Sequence, residues 1–187
     1  MIARLNLKDV ILAGWSFGCL DAYAYVREEG AGNLKAFIAI DELPKSLATA
    51  ENDGGEADLA TWRQFIDGTT YTRREFTREF SRWMVKRDLS AEELDWLVDQ
   101  SLQTPTSTAL LLLIHAMFAD YTPEARLMDG RIPVLNVLRE ERAERAVAWL
   151  RANLPNAESF VCKGHMHFWA EPEVFNGALD AFLRKVA

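Results

Sequence analysis

Val10-Ile11-Leu12-Ala13-Gly14-Trp15-Ser16-Phe17-Gly18 is the stretch on which the reading of this chain turns. An apolar run, Val10 to Ala13, stops at Gly-Trp-Ser-Phe-Gly, and Cys19 to Glu29 continues with helical character. Strand, G-x-S-x-G, helix is the order that lifts a serine hydroxyl out of a tight turn with a helix N-terminus behind it. Gly14 and Gly18 are both expected to remove Cβ clashes in that turn. Composition alone produces the pentapeptide in roughly one chain in twenty of this length. Its flanks, and the far end of the chain, therefore have to carry the rest of the case.

Residues 158–163 read as a short buried strand, Gly164-His165 follow, and Val174, Leu179, Phe182 and Leu183 mark one side of a final amphipathic helix. A histidine just past a last strand is placed to meet a serine on a neighbouring strand end. A serine hydroxyl needs such a partner, because it is a poor nucleophile until an imidazole takes its proton. His165 is the candidate base. His167 is expected to line the site or face solvent. His115, inside Leu110–Phe118, reads as a core histidine or one at the edge of a pocket.

With these segments in view the chain resembles the α/β-hydrolase superfamily, in particular its small bacterial esterase and non-haem haloperoxidase-like members. The matching residues are Gly14-Trp15-Ser16-Phe17-Gly18, Ile132-Pro133-Val134-Leu135, and Gly164-His165 followed by Phe168-Trp169, Glu171-Pro172 and Phe175-Asn176. The resemblance implies Ser16 as nucleophile, His165 as base and the Phe17 backbone N–H as an oxyanion donor. It implies no cofactor. Trp15, Phe168 and Trp169 are expected to line a pocket for a small apolar acyl substrate.

A triad also needs a carboxylate to orient the histidine, and two sites compete for it. The family's usual position follows the strand beginning at Ile132, where alignment puts Arg142 instead of an acid. Glu140 and Glu141 lie just before it, and equally suit a helix start whose dipole favours negative charge. The other site is Asp41, at the end of the apolar segment 34–41. Some family members, including many haloalkane dehalogenases, carry the acid there. Those enzymes use an aspartate nucleophile, so Ser16 speaks against their reaction.

The chain has 187 residues, enough for one sizeable core, with 49% hydrophobic and 26% charged residues. Its net charge of −7 argues against a nucleic-acid partner, since phosphates would go unneutralised. Cys19 and Cys162 read as two small core residues in a reducing, cytoplasmic setting. No secretory h-region is visible at the N-terminus, and the apolar run 109–118 is too short to span a bilayer, reading instead as a buried helix. Segment 51–56 is the expected flexible loop.

Strands 9–14, 34–41, 132–138 and 157–163 alternate with helices, which predicts a parallel sheet in an α/β fold. Residues 45–130 between the second and third strands read as helical, with a capping box at Ser90-Ala91-Glu92-Glu93. They occupy the family's cap or lid position, while 1–44 and 131–187 form the core. The resemblance makes the four strands the second half of the family sheet, so the first half, with the loop giving the second oxyanion donor, is expected to be missing. Strand 9–14 should then have an uncovered apolar edge, closed by a second copy or a complementing chain. Two functions follow: hydrolysis of a carboxylic ester or lactone-like substrate, or a truncated, inactive fold that binds a small apolar ligand or a partner chain.

Overall fold

The computed structural model describes residues 1–187. Four strands, β1 (Val10–Trp15), β2 (Leu34–Ile40), β3 (Val134–Arg139) and β4 (Glu158–Cys162), form one parallel sheet in the order β1-β2-β3-β4. Helix α1 (Phe17–Glu29) links β1 to β2, and α7 (Ala143–Asn153) links β3 to β4. After β4 come the single turn α8 (His167–Ala170) and the terminal helix α9 (Pro172–Val186). Five helices lie between β2 and β3: α2 (Leu59–Tyr71), α3 (Arg73–Val85), α4 (Ala91–Leu102), α5 (Thr106–Met117) and α6 (Thr122–Met128).

The two central strands are buried on both faces, which is why β2 and β3 are almost continuously apolar, whereas β4, expected to be buried, lies at the sheet edge and is exposed from Glu158 to Val161, with only Cys162 buried. Phe37, Val134 and Leu138 pack against α1, α6 and α7 on one face. Ile38, Leu135 and Val137 pack against Phe175, Phe182 and Val186 of α9 on the other. Helix α6, although it lies within the expected cap segment between β2 and β3, belongs to the first of these layers through Ala125 and Met128. The capping box is present: Ser90 Oγ accepts from Glu93 N, and Glu93 accepts from Ser90 N. The two cysteines are free and buried.

Three expectations are corrected. Helix α5 buries only one side, Leu113, Ala116 and Met117, while Leu111, Leu112 and Phe118 stay exposed. An unbroken apolar run carries no periodicity from which to read that orientation. His115 is on the exposed side and lies in no core. Segment 51–56 is tied down, because Asp53 accepts from the backbone N–H groups of Thr49, Ala50 and Gly55 and from Lys45 Nζ. No helix is long and apolar enough to cross a membrane.

Candidate active site

A polar residue closes or follows each strand, and the parallel order brings those ends to one edge of the sheet. Ser16 follows β1, Asp41 follows β2, Arg139 closes β3 and the Gly164-His165 turn follows β4. The ladder continues into the turns: Ser16 N donates to Ile40 O (2.9 Å) and Asp41 N to Val137 O (2.7 Å). Both residues sit at positive φ, 52° for Ser16 and 53° for Asp41. Non-glycine residues adopt that backbone at a cost and are held there by their surroundings, a pattern concentrated at functional sites.

The elbow has one obligatory glycine. A Cβ on Gly14 would stand 2.6 Å from Cys19 N and from Gly18 C and O, so no side chain fits. Gly18 has nothing within 4 Å of its Cβ position, which corrects the expectation that both glycines relieve a clash. Cys19 closes the turn, its thiol donating to Gly14 O (3.0 Å). Phe17 is the first residue of α1, so its N–H has no acceptor in the helix ladder.

Asp41 is the carboxylate that meets the histidine. His165 Nδ1 lies 2.6 Å from Asp41 Oδ2. Glu141 instead pairs with Lys86 Nζ (2.6 Å), and Glu140 is exposed, so neither reaches His165. Arg142, at the family's usual acid position, is buried and paired with Glu56. Asp41 has two further donors, Arg139 N (3.0 Å, on Oδ1) and Arg139 Nη1 (2.8 Å, on Oδ2). Burial acts to raise the Asp41 carboxyl, but the His165 hydrogen bond and the Arg139 guanidinium outweigh it and hold its pKa below the ordinary carboxylate range. Asp41 is therefore an anion. Sequence reasoning missed Arg139, whose β-strand context reads as a simple strand end.

Aromatic side chains surround the imidazole. The Trp15 ring centre is 5.2 Å from that of His165, and Trp15 Nε1 donates to His165 O (2.8 Å). Trp83, from α3, has its ring centre 5.5 Å from that of His165. Phe168 meets Trp15 edge-on at 5.3 Å and remains 37% exposed. Trp169 faces away, against Trp96 and Arg87, so it does not join this group. His167 neither lines the site nor meets solvent. It is fully buried with Nδ1 on Lys163 O (3.1 Å), and burial keeps its pKa below the ordinary imidazole value. No group of side chains suits a metal ion.

Comparison with solved structures matches the fold. A bromoperoxidase from Bacillus anthracis superposes with a TM-score of 0.84 at 20% identity, over 98% of this chain and 70% of that one. An esterase from Exiguobacterium antarcticum gives 0.83 at 18% identity, covering 98% and 69%. A hydrolase from Oleispira antarctica gives 0.82 at 15% identity, covering 98% and 68%. The fold is that of the α/β-hydrolases. No protein-family profile matches the chain, and no curated protein matches it by sequence. In this α/β-hydrolase sheet, Ser16 stands in the strand–turn–helix elbow and His165 in the turn after the last strand.

Proposed function

We propose that the protein is a serine hydrolase acting on small carboxylic esters or lactone-like substrates, with Ser16, His165 and Asp41 as its triad. The observation that carries this reading is the His165 Nδ1–Asp41 Oδ2 contact at 2.6 Å, formed at the sheet edge where Ser16 sits in a strained elbow. Esterases among the solved structures of the same fold support the ester as substrate class.

Ser16 Oγ attacks the substrate carbonyl while His165 Nε2 takes its proton. Asp41 holds Nδ1, which fixes the tautomer and offsets the charge that forms on the ring. The carbonyl oxygen becomes an oxyanion and is received by the Phe17 N–H at the start of α1. His165 returns the proton to the departing alkoxide, leaving an acyl-Ser16 ester. Water then repeats the sequence, giving its proton to His165 and releasing the acid. Trp15, Phe17 and Phe168 supply apolar surface for the acyl group.

A second reading has one observation in its favour. Arg139 Nη1 shares Asp41 Oδ2 with His165, so part of the carboxylate charge is already neutralised. A fold of this kind could bind a small apolar ligand without turning it over. A fluorophosphonate probe separates the two. Wild type is expected to label at Ser16 and Ser16→Ala to stay unlabelled. A folded wild-type chain that takes up no label would remove the hydrolase reading and favour the binding one.

A further inference from the structure

The insertion between β2 and β3 reaches into the catalytic machinery instead of only covering it. Helix α3 ends at Val85, and Lys86 adopts a left-handed backbone (φ 56°) that stops it. The carbonyls of a helix's last turn lack partners within the helix. Met84 O finds two outside it, accepting from His165 N (2.8 Å) and Met166 N (2.9 Å). Gly164 permits the approach: its φ is +63°, and a Cβ there would stand 2.8 Å from Met84 O. Lys86 Nζ extends the junction to Glu141 (2.6 Å).

Trp83, one residue earlier, lies against His165 and against Arg139, the two residues that bond Asp41. Its ring centre is 5.5 Å from that of His165 and 5.3 Å from Cζ of Arg139, whose guanidinium shares Asp41 Oδ2 with His165. A single hydrogen bond at Nδ1 fixes one atom of an imidazole and leaves its plane free to tilt. We propose that Trp83 is a positioning residue: the indole carried by α3 fixes the plane of the His165 ring, keeping Nδ1 on Asp41 and leaving Nε2 for proton transfer. When the ring becomes an imidazolium, the indole face also attracts its charge. Docking of the insertion thus becomes a condition for having a competent base.

This inference rests on the Ser16–His165–Asp41 reading, and its test separates the two. The Nδ1 proton shared with Asp41 gives a far-downfield proton resonance, assigned by its loss in Asp41→Asn. Trp83→Leu is expected to weaken or abolish that resonance. It should also lower kcat for p-nitrophenyl acetate about tenfold, the scale of one cation–π contact, with KM little changed. Trp83→Phe keeps a ring face and recovers most of both. An intact resonance with unchanged kcat in folded Trp83→Leu would overturn the proposal. So would a loss confined to KM, which would make Trp83 a wall of the substrate pocket. If wild type fails to label with fluorophosphonate, the triad reading falls, and the resonance alone still decides whether Trp83 holds the histidine.

Discussion

Asp41 owes its contact with His165 to position across the sheet and to no feature of its local sequence. As Asp-Glu before Leu-Pro it reads equally well as a turn residue, and only the pairing of β2 with β3 and of β3 with β4 brings it under His165. The acid therefore separates cleanly by substitution. Asp41→Asn keeps the shape and donates where the native oxygen accepts, forcing the wrong histidine tautomer. It is expected to lower kcat for p-nitrophenyl acetate by about 10³–10⁴-fold. Glu140→Gln and Glu141→Gln should leave it within about twofold, since one is exposed and the other holds Lys86. Equal losses in all three would refute the assignment. Ser16 and His165 were legible because each sits in a local pattern, a glycine-flanked turn and a strand-ending Gly-His. Arg139, His167 and the outward side of α5 were not. Their surroundings depend on residues far away in the chain, and neighbours in sequence carry no trace of them.

Between elements, the ends of β2 and β3 are joined by a buried cluster of charge. Arg139 reaches both Asp41 and Glu56, Arg142 also meets Glu56, and Glu42 lies fully buried beside them with Oε1 unpartnered. Burial raises the Glu42 carboxyl most strongly. Asp41 adds to the shift and Arg142 opposes it, leaving a pKa of about 7 against the ordinary 4.5. The folded chain thus binds a proton that the unfolded chain gives up between those values, and this group's contribution to stability falls as pH rises through the interval. Glu42→Gln copies the protonated acid and removes the slope. Its melting temperature relative to wild type is expected to climb from pH 4.5 to pH 7, by the equivalent of about 3 kcal/mol of unfolding free energy. A difference that stays flat across the interval would show that Glu42 titrates normally. The four strands and most helices were readable from alternation and caps. This cluster was not, because Arg142 and Glu56 look like surface residues until the loop after β2 folds over the end of β3.

At the scale of the whole molecule, β1 pairs with β2 on one side only, and Ile11 is 37% exposed at that margin. An apolar strand with free N–H and C=O groups invites pairing. Purified protein is expected to self-associate at micromolar concentration by light scattering, and Ile11→Lys to reduce it. A monodisperse wild-type monomer would refute that. The linear strand order has a further consequence, one of timing. The proposed nucleophile, acid and base lie along the chain in the order Ser16, Asp41, His165, and the Asp41–His165 contact spans 124 residues. During synthesis a growing chain carries the serine and its elbow long before the histidine exists. In refolding, the same contact must close one of the longest loops in the molecule, and bringing distant segments together is slow. Local helices of the insertion can form early. The proposed reactivity, with His165 seated against α3 and Asp41 together, would arrive with the last piece of the fold.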